Sequence, residues 1–298
     1  MSFLSSQFMS ATFDGIANGM IYALIALALV LVWQATHVLN FAQGAMAMFS
    51  TFIAFTFLEH GVGYWLALLI AIIFGFLVGG AAERLLIRPT RGKPEINPVV
   101  VMVGFLTVIE AIAAMIWGPN SRTYPSPFSQ IGFTVGGTTI NFSPYDLYTV
   151  ITVGLIAVGI YALFRYTNLG LKMRASAFAP EVARLLGVRV SRMLTFGWMI
   201  AGAIGAVAGV LYAAHNNAGV YPTNLDLVFV FGFIAAAIGG LESPSGAIIG
   251  GLIIGLVGDY VSSYYSSGLA PIAVVVVLII VLMIRPQGIF ARPAARRV

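Results

Sequence analysis

The sequence predicts an all-α membrane protein, a polytopic bundle of about eight or nine transmembrane helices, some short or broken. Hydrophobic residues make up 60% of the chain and charged residues only 8%, whereas an ordinary soluble domain is about 25% charged. So few charges cannot cover a soluble surface, so the bilayer is the solvent for most of the chain. The apolar residues also lie in runs near the roughly 20 residues that cross a hydrocarbon core of about 30 Å.

Nine apolar segments account for most of the chain. In order they cover residues 11–33, 41–58, 64–87, 98–117, 145–165, 193–214, 225–241, 245–262 and 268–284. We expect the three shortest, 41–58, 225–241 and 245–262, to be tilted, broken or re-entrant. The whole chain, 1–298, is expected to form a single membrane domain with long loops at 118–144 and 166–192.

The basic residues orient these segments, because Lys and Arg accumulate in cytoplasmic loops. They form three groups: Arg84, Arg88, Arg91 and Lys93; then Arg165, Lys172, Arg174, Arg184, Arg189 and Arg192; then Arg285, Arg292, Arg296 and Arg297. Two segments separate the first group from the second, and four separate the second from the third. Both counts are even, so all three groups, and with them the C-terminus, are predicted on the cytoplasmic side.

The 118–144 loop is then predicted to lie outside. Its alternating run FTVGGTTINF indicates a small hairpin around Gly136 and Gly137. No Lys or Arg precedes Arg84, so the side of the N-terminus depends on the second segment. If 41–58 crosses fully, the N-terminus is outside; if it is re-entrant, the N-terminus is inside.

Motifs for catalysis, cofactors and metals are missing from the sequence. There is no cysteine, which excludes disulfides and thiol chemistry. We find no phosphate-binding Gly-Lys-Ser/Thr loop, no nucleophile elbow and no helix with paired histidines. The net charge of +5 reports membrane orientation rather than nucleic-acid binding. We therefore expect no enzyme activity, cofactor or metal in this chain; any ATP must be bound by another chain.

A few polar residues inside the apolar segments are candidates for a substrate pathway. Asn40, Gln43 and Gly44 open the second segment, which suits a broken helix lining a cavity; ordinary capping by Asn40 is the alternative. Glu110 costs roughly 2.5–3.5 kcal/mol near a membrane midplane, so it should face the protein, be paired or be protonated. A structural hydrogen bond is its alternative role. The tentative pathway set is Tyr22, Asn40, Gln43, Gly44, Glu110 and Asn224.

Two further patterns leave alternatives open. Asn224 precedes the short segment 225–241 much as Asn40 precedes 41–58, which is a faint sign of an internal repeat. Glycines recur at helical spacing in several segments, and small residues let helices approach closely in lipid. These stripes indicate either packing within one bundle or a subunit interface. The glycines concerned are Gly75, Gly79, Gly80, Gly202, Gly205, Gly209, Gly246, Gly250, Gly251 and Gly255.

The 166–192 loop contains a compact helix signal, PEVARLLG at 180–187. Pro180 suits a first helical position, Glu181 complements the positive helix end, and Gly187 suits the left-handed position that ends a helix. One apolar stripe comprises Val182, Leu185 and Leu186. A helix of about 10 Å is marginal alone in water. Its stripe is therefore expected to rest on the membrane domain, on lipid or on a partner protein.

Five stretches resemble the permease subunits of bacterial branched-chain amino acid ABC importers, the hydrophobic amino acid uptake type. They occur in the family's order and extend over nearly the whole chain. They are GMIYALIALALVLVWQATHVLNFAQGAMAM at 19–48, RPTRGKPEINPVVVMVGFLTVIEAIAAMIWGP at 88–119, LKMRASAFAPEVARLLGVRVSRM at 171–193, AIGGLESPSGAIIGGLIIGL at 237–256 and RPQGIF at 285–290.

The resemblance implies a multi-chain importer in the bacterial inner membrane. A periplasmic binding protein delivers the substrate, two permease subunits (two copies or a sister pair) form the pathway, and two cytoplasmic ATPase subunits bind ATP and magnesium. The short helix is then the coupling helix that docks into the ATPase. The coupling positions carried over are Pro180, Glu181, Ala183, Arg184, Leu185, Leu186 and Gly187.

One departure concerns the substrate. Members of this family commonly have His where this chain has Gln43, and Gln takes no proton near neutral pH. Substrates implied for related permeases are branched-chain amino acids, urea or short amides. The other function classes are an ion-coupled secondary transporter and a passive channel. A secondary transporter needs buried acids, of which Glu110 is the one well-centred candidate, and a channel needs no ATPase-docking helix.

Overall fold

The computed structural model describes residues 2–94, 96–135, 138–139 and 142–290, and its described part is built from eleven α-helices. The first six are α1 Ser2–Thr36, α2 Gln43–Glu59, α3 Tyr64–Ala81, α4 Ile96–Trp117, α5 Pro144–Tyr166 and α6 Asn168–Phe178. The other five are α7 Pro180–Leu185, α8 Val190–Ala214, α9 Asp226–Gly239, α10 Pro244–Tyr264 and α11 Ala270–Ile284. A π-helical segment, Ala82–Ile87, and a 3₁₀ turn, Arg88–Thr90, extend α3.

The predicted all-α membrane fold is confirmed. Seven helical stretches in the described residues are long and apolar enough to cross a membrane, and α9 is a shorter apolar helix. At 17 residues, α2 is also short. The expectation that segment 245–262 is short is wrong, because α10 has 21 residues. Its helix begins early, since Ser243 caps the N–H of Gly246 at 3.0 Å and Pro244 fits the first turn.

The predicted hairpin in the 118–144 loop is present as two very short strands, β1 Thr134–Val135 and β2 Thr138–Thr139. They pair antiparallel, with Thr134 opposite Thr139 and Val135 opposite Thr138. The predicted turn residues, 136–137, lie outside the described residues.

The predicted glycine stripes pack helices against each other within the chain. In α3, Gly75 and Gly79 lie against Gly202 and Trp198 of α8, so closely that a Cβ on Gly75 would fall 2.8 Å from the Cβ of Ala206. Glycines of α10 contact α1 and α9 in the same way. The bundle-packing interpretation of these stripes is therefore confirmed.

Contacts along α1 define the two ends of the bundle. At one end, Gln7 donates 2.7 Å to the main-chain oxygen of Ser263, and Phe13 packs on Phe142 of the 118–144 loop. We call this the hairpin end. At the other, the basic end, Gln34 donates 2.7 Å to the oxygen of Glu242. Because α1 joins the two ends and the last described residue, Phe290, lies at the basic end beside Gly239 of α9, the first and last described residues lie at opposite ends of the bundle.

The two short helices begin inside the bundle and run in opposite directions. The first turn of α2 contacts Ala201, halfway along α8, and α2 then runs to the hairpin end. The first turn of α9 lies beside the same place, since a Cβ on Gly44 would be 2.9 Å from the Cβ of Phe229 and 3.2 Å from the oxygen of Leu225. From there α9 runs to the basic end. The N-terminal ends of α2 and α9 thus meet near the middle of the bundle.

Candidate functional sites

Asn40 and Gln43 form a closed polar cluster at the start of α2, and both side chains are buried. Asn40 Nδ2 donates 2.9 Å to Gln43 Oε1, and Asn40 Oδ1 accepts from the N–H of Ala42 at 3.1 Å. Gln43 Nε2 donates 3.0 Å to the oxygen of Ala201 on α8. Gly205 lies against the amide of Gln43, and a larger residue at position 205 would collide with it.

Capping of α2 by Asn40, the alternative considered from the sequence, is wrong. The N-cap residue is Ala42, and no side chain caps this helix. The side chain of Asn40 instead bonds two residues ahead, in the turn that leads into the helix. The first N–H groups of α2 therefore lack a side-chain partner at the place where α2 meets α9.

At the start of α9, Asn224 is 2% exposed. Its Nδ2 donates 3.0 Å to the oxygen of Gly219, whereas its Oδ1 has no hydrogen-bond partner among the described residues. The N-cap residue is Leu225, so α9 also lacks a side-chain cap. Buried polar atoms of proteins normally have a partner, so the unpaired Oδ1 of Asn224 is an unusual feature at the start of α9.

A pair of acids lies beside these helix ends. The carboxyl groups of Glu110, half-buried on α4, and Asp226, the first residue of α9, are in contact. The buried Oε1 of Glu110 has no hydrogen-bond partner among the described residues. Like charges in contact repel unless a proton or a cation lies between them. The pair therefore suits either a shared proton or a positively charged group.

The structure brings together most, but not all, of the predicted pathway residues. Asn40, Gln43 and Gly44 share the central meeting point with the start of α9. Tyr22 is separate, because its ring packs edge-on against Phe231 at 5.2 Å, elsewhere on α9. Sequence reasoning missed an aromatic cluster beside the polar residues, formed by Phe41, Phe229 and Phe233.

The predicted short helix of the 166–192 loop is α7. It contacts the domain through Ala183, which is 2% exposed, whereas Leu185 and Leu186 are 88% and 78% exposed. Gly187 has φ +80°, and its N–H bonds the oxygen of Arg184 at 3.0 Å, which ends the helix as the sequence predicts. The apolar stripe therefore points away from the membrane domain.

A buried acid that sequence reasoning missed lies near α7. Glu83 is fully buried in the π-helical segment and pairs with Arg88 at 3.0 Å and with Arg91. Thr195 of α8 donates 2.6 Å to its Oε2. Burial lowers the pKa of Arg91, and the charge of Arg184 on α7 acts in the same direction, while Glu83 opposes them. Glu83 thus joins the extension of α3 to α8, and its partner Arg91 lies within electrostatic range of Arg184 on α7.

The chain is similar to known proteins over most of its length. Residues 11–285 match the family described as "Branched-chain amino acid transport system / permease component". This chain belongs to that family. It is 28% identical to the high-affinity branched-chain amino acid transport system permease protein LivH of Salmonella typhimurium, over 98% of both chains.

Two further relatives carry names of the same kind. The chain is 30% identical to the probable branched-chain amino acid transport permease protein LivH of Methanocaldococcus jannaschii, covering 78% of this chain and 74% of that one. It is 25% identical to BraD of Pseudomonas aeruginosa, a high-affinity permease of the same kind, over 96% of both chains. The chain is a multi-pass membrane protein and the permease component of a transport system, a transport subunit rather than an enzyme.

Proposed function

We propose that this chain is one of two permease subunits of an ATP-binding cassette importer that carries branched-chain or other apolar amino acids. A periplasmic binding protein would deliver the substrate, and the chain would sit in a bacterial inner membrane. The observation that carries the proposal is the family match over residues 11–285. The names of LivH and BraD support the substrate class.

Docking of α7 to a cytoplasmic ATPase is supported by its surface. An exposed apolar patch marks an interaction surface, and we infer that a partner protein covers this one. The basic end then faces the cytoplasm with the C-terminus, as the positive-inside rule requires. The proposed coupling residues are Pro180, Glu181, Ala183, Arg184, Leu185, Leu186 and Gly187. ATP and magnesium would bind to two partner ATPase chains. Movement of α7 would be transmitted to the membrane-spanning helices through Glu83.

The proposed pathway passes the meeting point of α2 and α9. Uncapped helix N-termini carry partial positive charge and suit a carboxylate. The Glu110–Asp226 pair suits an ammonium group, and the Phe41, Phe229 and Phe233 rings suit an apolar side chain. A place for a carboxylate, one for an ammonium group and one for an apolar side chain together match an apolar amino acid rather than urea or a short amide. The second permease, a further copy or a sister chain, would complete the walls.

The test is reconstitution of the purified permease with its ATPase and binding protein in proteoliposomes. We expect leucine delivered by the binding protein to stimulate ATP hydrolysis and uptake, and urea or acetamide to do neither. Uptake that proceeds without any ATPase would refute the importer and favour a secondary transporter or channel. Stimulation by urea but not by leucine would keep the importer and refute the substrate class.

A further inference from the structure

A cavity of about 800 Å³ opens at the basic end of the bundle, beside α1. Helices α1, α5, α6, α8 and α10 surround it, and Phe290, near the C-terminus, closes one side. Its inner wall is apolar and includes Leu27 and Leu31 of α1, both buried in the core. The cavity is separate from the meeting point of α2 and α9.

The cavity is open towards the surroundings of the bundle rather than towards its core. On α5, Val158 and Tyr161 line it and are 65% and 60% exposed. Large apolar side chains exposed on a membrane helix face lipid. A lipid molecule beside α5 can therefore enter the cavity sideways, without crossing the bundle.

Two arginines lie at its rim. Arg165 ends α5 and Arg174 lies on α6, and both line the cavity. In the described part of the chain neither forms an ion pair or a side-chain hydrogen bond. Glu242 is the one acid in this lining, so the charged residues sum to one positive charge. An apolar wall below unpaired guanidinium groups matches a phospholipid, whose phosphate guanidinium groups bind through paired hydrogen bonds.

We propose that this cavity binds one anionic phospholipid from the adjacent leaflet. The headgroup phosphate is held by Arg165 and Arg174, and an acyl chain lies along Leu27 and Leu31. The chain's own C-terminal segment is the other conceivable occupant. It carries Arg292, Arg296 and Arg297 and would bring like charge to the rim, so charge complementarity favours the lipid.

The test is native mass spectrometry of the full chain, purified in mild detergent and titrated with phosphatidylglycerol, phosphatidylethanolamine or phosphatidylcholine. We expect one phosphatidylglycerol adduct of highest affinity. Replacing both rim residues, Arg165→Gln with Arg174→Gln, should weaken that adduct about tenfold or more, because two charge-assisted contacts are lost. The matched control, Lys172→Gln with Arg189→Gln, removes two charges outside the cavity lining and should leave affinity unchanged.

A second variant tests the cavity itself without changing charge. Ala157→Trp fills the space beside α5 and should abolish the tight adduct while the chain still elutes as a folded species. Equal binding of the zwitterionic lipids, or an unchanged adduct in both cavity variants, would overturn the proposal. Competition by soluble glycerol phosphate with an affinity similar to that of the lipid would also overturn the proposal. It would show that the acyl chain contributes nothing to binding. Binding that appears only after deletion of residues 291–298 would assign the cavity to the C-terminal segment.

Discussion

Gln43 Nε2 donates a hydrogen bond of 3.0 Å to the main-chain oxygen of Ala201, which attaches the start of α2 to the middle of α8. The same side chain accepts a bond from Asn40 through Oε1. The amide therefore uses both a donor and an acceptor in a buried place. A neutral imidazole also has one donor and one acceptor, so a His at position 43 could supply the same two kinds of bond.

We expect Gln43→Ala to destabilise the domain by about 1–3 kcal/mol, because it leaves the buried Nδ2 of Asn40 without its partner oxygen. Gln43→His is the matched control and should retain most of the stability. Thermal unfolding in detergent measures both variants. Equal unfolding temperatures for Gln43→Ala and the wild type would show that the cluster carries no net stability.

The sequence predicts those features that depend on neighbouring residues. The apolar runs give the helices because lipid leaves the backbone no other partner, and Pro180 and Gly187 bound α7 through local backbone geometry. Contacts between distant segments were not predictable. Glu83 is adjacent to Arg84 and reads as part of a basic loop, but its partner Thr195 is 112 residues away. The contact of Glu110 on α4 with Asp226 at the start of α9 likewise joins residues far apart in the sequence.

Gly79 and Gly104 both lie within spanning helices, yet only Gly79 is in a tight contact. A Cβ on Gly79 would overlap the main-chain oxygen of Trp198, whereas one on Gly104 meets nothing within 4 Å. Gly79→Ala should cost about 1–3 kcal/mol through overpacking, while Gly104→Ala should be neutral or stabilising by helix propensity. Folded yield and thermal unfolding compare them. Equal behaviour of the two variants would contradict the tight α3–α8 packing.

Two acids at opposite ends of the bundle, Glu83 and Glu59, should contribute differently to the stability of the fold. Glu83 is fully buried and holds Arg88 and Arg91, whereas Glu59 is 47% exposed in its pair with Arg122. Removing one member of a buried pair costs about 3–5 kcal/mol; we expect Glu83→Ala to approach the lower end because its arginines reach solvent. Glu59→Ala should cost at most about 1 kcal/mol. A larger loss of thermal stability in Glu59→Ala than in Glu83→Ala would contradict the greater contribution of Glu83.

His215 should make stability depend on pH. Burial lowers its pKa below the ordinary 6.5, and the Asp146 carboxylate, with Oδ1 3.4 Å from Nδ1, only partly opposes this. The folded chain thus keeps His215 neutral where the unfolded chain takes up a proton. Stability from this group is complete above pH 6.5 and is lost as the pH falls below it.

The measurement is thermal unfolding between about pH 5 and pH 8, across the ordinary titration range of histidine. His215→Gln should flatten the loss of stability on the acid side. The exposed His60, at the end of α2, supplies the control His60→Gln, which should keep the wild-type pH profile. A profile that is unaltered by His215→Gln but flattened by His60→Gln would show that burial of His215 is not the cause.

Leu185 gives the most direct test of α7 as a docking helix. Its side chain is 88% exposed, so Leu185→Asp removes nothing from the core of the chain and should leave folding intact. Within the assembled importer the same change would bury a charge in an apolar contact, which costs several kcal/mol. We expect loss of ATPase co-purification and of uptake, and Leu185→Met, which keeps an apolar side chain of similar size, should restore both. Normal uptake by Leu185→Asp would show that α7 does not dock through this stripe, because a charge at the centre of a docked apolar surface cannot be tolerated.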